Sequence, residues 1–521
     1  MTVTGEGATL KRWILAGLTI LAIVFTTLQL LSSWNQPQFQ SRLELYQTNL
    51  LLRASEWQGP PGEEANLSTT RRAIVGADPI QAATKQYQEA RQSNQESLDK
   101  IRTRLASSNP DEENAQLQAS VQKLARLTAE LDLNLGVLQA HQGQTQAALE
   151  TWKQLQQSDQ ANPLSSLPQT AQVLSGLWRN PPQLLPDAET SLQTDLSGWF
   201  RDQALERLFQ LQQRQDVLQA LHATEQQAAE QAFIKLGLVS LLPGLGLLIG
   251  GGLLIFWLGG WLLWLIRGRQ PLPVEKQLTV WQVPWDWEVM VQGLVIGFFF
   301  VGQFLIGQFL LPLGLGLLKI TPTSLDNRGQ AGLILLSYLM LAVGGGLVIY
   351  LSLKPFFPLP EGWFRFRLDR EGLFWGVAGY CVAWPVVLGV SQVNQLIWQG
   401  QGGSNPILPI ALEGKDPTAI AIFFITASLA APIFEEILFR GFLLPSLTRY
   451  LPVWGAIAAS GLLFAVAHLS LSEILPLTAL GMVLGYVYVR SRNLLACMLL
   501  HSLWNGGTLL SLFILGGSSG V

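Results

Sequence analysis

Apolar and polar positions are spread very unevenly along this chain. Residues 13–32 form one apolar run of the length a helix needs to span hydrocarbon. The stretch from 34 to about 230 is polar and rich in Gln. Apolar segments then recur at 233–266, 289–312, 331–353, 373–394, 417–433, 452–469, 475–489 and 494–515, about nine with the first. Hydrocarbon offers no partner to a backbone N–H or C=O, so these segments are expected to be helices, and no alternating barrel pattern competes. The predicted fold class is all-α: a polytopic membrane helix bundle with an N-terminal, mostly helical soluble domain.

Within the polar stretch, Gly59-Pro60-Pro61-Gly62 signals a loop. Leu117, Val121, Leu124, Leu131, Leu135 and Leu138 then fall on one face at a 3.6 period, and Tyr87, Leu98, Ile101 and Leu105 form a weaker stripe. The pattern Leu135-Gly136, Gly143, Ala147-Ala148 and Trp152 resembles one tetratricopeptide-type hairpin, in which small residues let two helices approach closely. A stable solenoid normally needs at least three repeats, so a helical bundle or hairpin stalk is favoured over a peptide-binding solenoid. Pro163, Pro168, Pro181, Pro182 and Pro186 predict a loop-rich interruption, followed by one polar helix of roughly 30 residues leading into the next span.

Composition sharpens this picture. Charged residues make up 13% of the 521 and hydrophobic ones 49%, far from the roughly 25% charged of a soluble domain. A net charge of −3 gives no electrostatic case for nucleic acid. Cys381 and Cys497 both lie in apolar segments and read as packing residues. Gly344-Gly345-Gly346 and Trp257, Trp261 and Trp264 are structural by default. Lys11 and Arg12 precede the first run, which places the N-terminus in the cytoplasm by the positive-inside rule. The run is long for a signal peptide and lacks an A-x-A site, so an uncleaved anchor is expected. Arg267 and Arg269, then Lys354, Arg365, Arg367 and Arg370, then Arg490 and Arg492 fall on the same side under this count.

Ionisable residues inside membrane helices cost about 2.5–3.5 kcal/mol each on insertion scales and are functional candidates by default. Between 417 and 515, Arg449, Glu473, Arg490 and Arg492 lie at segment ends and reach water. That leaves Glu435, Glu436, Arg440, His468 and His501, and the whole chain has only four histidines. Glu436 and Arg440 are i,i+4 and share a helix face, so they can pair, while Glu435 is turned about 100° away. Pro432 suits a helix start or a kink. His501 and Asn505 are again i,i+4, imidazole and carboxamide one turn apart.

A carboxylate in a low-dielectric cleft can act as general base toward water. Imidazoles can orient that water or bind a metal. An Asn carboxamide can donate to a developing oxyanion, worth about 2.7–4 kcal/mol for a comparable donor. A Ser-His-Asp reading is poorer. Ser460, Ser470 and Ser472 have no nucleophile motif around them, and no Asp follows Asp416 in the region. HExxH is absent as well. Phe464 reads as packing and Arg440 as the structural partner of Glu436.

Glu435-Glu436-x-x-x-Arg440, Phe464-x-x-x-His468 and His501-x-x-x-Asn505, in this order in apolar segments and preceded by Ala431-Pro432, resemble the CPBP family. That family comprises the type II CAAX prenyl proteases and the bacteriocin-processing or immunity proteins, also called Abi. The resemblance covers about 370–515 and implies an intramembrane endopeptidase with a helical-bundle core. It implies that Glu435 activates the water, that His468 and His501 assist, and that Asn505 stabilises the oxyanion. Members are often labelled metalloproteases, yet the family is also described as glutamate-dependent without a required metal. Glu435, His468 and His501 would leave an open position on zinc or another divalent ion.

The expected domains are an anchor at 1–33, an extracytoplasmic helical domain at 34–232, membrane helices at 233–369 and the protease-like core at 370–521. Residues 34–232 have no counterpart in the family core and are candidates for binding a protein partner, and nothing in the chain points to a prenyl pocket. The expected partners of the core are the bilayer and a peptide or protein substrate. A simple side count puts His468 and His501 at opposite leaflets, which predicts a broken or tilted, partly re-entrant helix at Pro432. Two competing functions are a non-catalytic scaffold, in which the polar domain binds a partner, and a proton or solute carrier, for which no inverted repeat is visible.

Overall fold

The computed structural model describes residues 5–34, 39–59, 64–107, 112–158, 166–266, 281–322, 325–398, 402–403 and 416–516. Pro60, Pro61, Gly62, Pro163, Arg267 and Arg269, expected in a loop, in an interruption and at a span's end, lie outside them. Among the described residues every regular element is helical. The chain forms two compact units, Met1–Phe39 with Leu241–Gly516, and Gln40–Ser240.

Helix α1 (Gly5–Ser33) belongs to the first unit. The polar unit is built from α2 (Phe39–Ser55), α3 (Glu64–Val75), α4 (Pro79–Ser107), α5 (Glu112–His141), α6 (Thr145–Ser158), α7 (Leu167–Trp178), α8 (Ala188–Asp195), α9 (Gly198–Leu211) and the start of α10 (Gln215–Ile266). Its core gathers Tyr87, Leu131, Leu135, Leu138, Trp152, Trp199 and Phe200. The stripe on α5 thus supplies core residues from its second half, where Leu131, Leu135 and Leu138 are buried, while Leu117, Val121 and Leu124 are only half-buried. Gly136 is where α5 and α6 touch: a Cβ there would lie 2.2 Å from the Trp152 indole nitrogen.

The same turn occurs twice in this unit. After α5, Gly143 takes φ +78° and Gln144 N–H donates to the Gln139 carbonyl. After α9, Gln213 takes φ 59° and Arg214 N–H donates to the Phe209 carbonyl. Both are left-handed caps that reverse the chain into an antiparallel partner helix. The polar helix expected after the prolines is therefore three helices, α8, α9 and the head of α10. Pro168 lies in the first turn of α7, where its missing N–H is harmless.

Eight helices are long and apolar enough to cross a membrane, and a ninth apolar helix is shorter, among the described residues. After α1 and α10 these are α11 (Trp287–Leu317), α12 (Asn327–Leu353), α13 (Arg370–Trp398), α14 (Pro417–Leu447), the short α15 (Val453–Val466), α16 (Ile474–Ser491) and α17 (Leu494–Gly516). This is a polytopic helical membrane protein. Asp416 caps α14, accepting from Thr418 N–H, and Pro417 opens it. Two stretches of α14, Thr426–Ala430 and Ile437–Leu443, are wound as π-helix.

The helix at Pro432 is not broken: α14 runs through it for 31 residues. At 14 residues α15 is about 21 Å long, short of a hydrocarbon core of about 30 Å. It ends at Val466, His468 follows in the turn, Leu469 takes φ 56°, and α16 returns. The hairpin brings His468 close to α17, where the Phe464 ring packs against both His468 and His501. Its two helices approach closely because both contact positions are glycine: a Cβ on Gly481 would lie 2.7 Å from the Gly461 Cα.

Candidate active site

Pro432 shapes the site from within its own helix. In the π-wound stretch the bond runs from residue i+5 back to i, as Ala431 N–H does to the Thr426 carbonyl. The next bond in that register would come from residue 432, and proline has no N–H to give. The Ala427 carbonyl is taken instead by Asn505 on α17, whose Nδ2 lies 2.8 Å away. One of the two N–H groups of the Asn505 amide is thereby fixed, which sets the plane of the other.

The two glutamates have opposite surroundings. Glu436 is fully buried. Its Oε1 accepts from Arg440 Nη1 at 3.0 Å and from His501 Nδ1 at 2.8 Å. Arg440, equally buried, also donates to the Gly481 carbonyl at 3.0 Å and lies over the Phe464 ring, 4.5 Å from its centroid. Since a carboxylate only accepts, the proton of a neutral His501 is assigned to Nδ1, and Nε2 is left as an acceptor.

Glu435 faces the other way, into a cavity of about 330 Å³ lined also by Tyr338, His468, Asn505, Ala427 and Gly302. Its Oε1 accepts from the Tyr338 hydroxyl at 3.0 Å. Its Oε2 is buried without a hydrogen-bond partner and lies 3.9 Å from His501 Nε2. Two acceptors therefore face each other across a gap that suits a bridging donor such as water, at about 2.8 Å from each. The His468 Nδ1 donates to the Phe464 carbonyl at 2.9 Å, which leaves Nε2 as its acceptor. Phe464 sits between the histidines, edge-on to His468 at 4.9 Å and to His501 at 5.6 Å.

The other three residues singled out for chemistry thus surround Glu435: His468 and Asn505 share its cavity, and His501 approaches its free oxygen. Glu436 and Arg440 pair as their spacing predicts. Tyr338 is the residue that sequence reasoning missed. It lies on α12, 97 positions from Glu435, and no periodic signal links the two. As metal ligands the donor set has suitable chemistry, but the ligand atoms of Glu435, His468 and His501 do not come within 4.8 Å of one another as a set. Among the described residues the trio that does is Glu206, His222 and Glu225 in the polar unit. There Glu206 and Glu225 already accept from Gln210 at 3.0 Å and from Gln203 at 3.4 Å.

Residues 417–507 match the family described as type II CAAX prenyl endopeptidase Rce1-like. The membrane unit carries an Rce1-like segment. It runs from the first turn of α14 to just past Asn505 and so contains Glu435, Glu436, Arg440, His468, His501 and Asn505. The chain is also 26% identical over 148 residues to "Putative membrane peptidase YdiL" of Bacillus subtilis (strain 168). That match covers 26% of this chain and spans 56% of the length of the relative. No solved structure matches. Tyr338 lies outside the Rce1-like segment.

Proposed function

We propose that the membrane unit hydrolyses a peptide bond of a membrane-associated substrate, with Glu435 as general base. The observation that carries this reading is the Glu435 Oε2: buried, without a partner, and turned toward the acceptor nitrogen of His501 beside a cavity shared with His468 and Asn505. The Oε2 of Glu436 is equally buried and without a partner, but Glu436 does not line the cavity; what singles out Glu435 is that its open oxygen belongs to a residue that does. Water held between Glu435 and the imidazoles attacks the carbonyl carbon as Glu435 takes its proton. The free N–H of the Asn505 amide donates to the oxyanion that forms. Collapse of the tetrahedral intermediate breaks the C–N bond, and Glu435 returns the proton to the leaving amine. The spread of the three ligand atoms does not make a preformed three-ligand metal site.

Glu436, Arg440 and Phe464 act on this chemistry through His501, by fixing its tautomer and ring plane. The polar unit, with a core of its own, is the part available for recognising a protein partner or substrate. The test is Glu435→Gln in the purified full-length protein, assayed against a fluorescence-quenched peptide library in detergent micelles. Turnover is expected to fall below detection while the thermal midpoint holds. Unchanged turnover removes Glu435 as base and returns the chain to a membrane-bound scaffold.

A further inference from the structure

Tyr338 is the group in contact with Glu435 that neither the motifs nor the Rce1-like segment contains. Its position is built by helix packing. Gly345 lies seven residues on, two turns along the same face of α12. There the glycine lets α12 settle against Phe434 of α14: a Cβ would meet the ring at 2.9 Å. That approach brings the Tyr338 hydroxyl to the Glu435 Oε1 at 3.0 Å, with the Ala431 carbonyl at 3.4 Å as a second acceptor within reach. The ring also meets Phe434 edge-on at 6.5 Å.

The consequence lies in the two oxygens of one carboxylate. Oε1 is occupied by the phenol, and Oε2 has no partner. A carboxylate free to rotate would present either oxygen. Anchored at Oε1, it presents Oε2 alone toward His501. We propose that Tyr338 is a positioning residue of the reaction, holding Glu435 so that one defined oxygen receives the proton of the attacking water. A phenol that simply needed a buried acceptor has the Ala431 carbonyl close by, and its contact with the carboxylate is the shorter of the two. This inference rests on the peptidase reading above.

The decisive variant is Tyr338→Phe, which keeps the ring against Phe434 and deletes only the O–H. It is compared with wild type and Glu435→Gln in the same peptide-library assay. The infrared carboxylate band of Glu435, identified as the band lost in Glu435→Gln, is recorded in parallel. Tyr338→Phe is expected to lose about ten- to a hundredfold in kcat, the worth of a hydrogen bond to a charged group. KM should stay within about twofold, the thermal midpoint should hold, and the Glu435 band should shift. A normal kcat with Glu435→Gln inactive overturns the role of Tyr338 and leaves the peptidase reading standing. A raised KM at normal kcat makes Tyr338 a substrate contact, and a kcat loss accompanied by a fallen midpoint or an unmoved band makes it structural. Either result overturns the proposal. Turnover retained in Glu435→Gln, or absent in wild type, removes the peptidase reading and the proposal with it.

Discussion

Replacing Arg440 by alanine would leave the Glu436 carboxylate buried without its cation, and removing one partner of such a pair costs about 3–5 kcal/mol. Arg440→Ala would also uncover the Gly481 carbonyl and vacate the face of Phe464. The expected outcome is a large drop in thermal midpoint or in the yield of folded protein. Glu435→Gln, one residue from the other member of that pair, should leave the midpoint in place, because its Oε2 contributes no bond to the fold. A midpoint that fell equally in both variants would contradict the division of labour between these neighbours. That division was partly legible from the chain alone: i,i+4 spacing pairs Glu436 with Arg440 and turns Glu435 away. The bond from His501 to Glu436 and the bond from Tyr338 to Glu435 were not. Each joins residues on different helices, and spacing within one helix carries no information about which faces meet. Phe464, read as packing, does pack, and its neighbours are both histidines and the guanidinium.

Helix α14 accommodates its proline in a form that the residue pattern hides. Pro432 marked a disturbance, and a broken or tilted helix was the expectation for a proline inside an apolar segment. The helix instead continues by winding wider on either side of it, and the carbonyl left without a donor is satisfied from α17. Pro432→Ala restores an N–H that can reach the Ala427 carbonyl and competes with Asn505 for it. The expected result is a several-fold loss of turnover with no loss of thermal stability, since proline in a helix interior is itself unfavourable by about 3 kcal/mol. A variant with full turnover would show that the grip of Ala427 on Asn505 has no part in the reaction. The length of α15 was legible in a similar, partial way. Its apolar segment was visible, but its early stop depends on the left-handed turn at Leu469, a non-glycine residue that announces nothing in sequence.

At the scale of the whole molecule, the first helix is not merely a tether for the polar unit. Read from sequence, residues 1–33 form an anchor separated from the membrane helices by some 200 polar residues, a distance at which no local pattern connects them. In the fold, α1 belongs to the same compact unit as α11–α17 and packs along α11. It is held at both ends. Near its start Arg12 donates to Glu288 at 2.6 Å, with Lys11 3.5 Å from the same carboxylate. At its end the Ser33 hydroxyl oxygen accepts from Leu471 N–H at 3.2 Å, in the short turn that follows His468. From Arg12 to Ser33 the helix runs about 31 Å, close to the thickness of a hydrocarbon core. A strut of that length, fastened at one end beside α11 and at the other beside the turn after a candidate catalytic histidine, should contribute to stability in its own right. The expectation is a measurable coupling between Arg12→Ala and Glu288→Ala in a double-mutant cycle on thermal unfolding in detergent. Arg12 is mostly exposed, so the coupling is expected at the level of an exposed ion pair, about 0.2–1 kcal/mol, and to shrink as salt is added. A tether that only passed by would give strictly additive effects in that cycle, and the same additivity at every salt concentration.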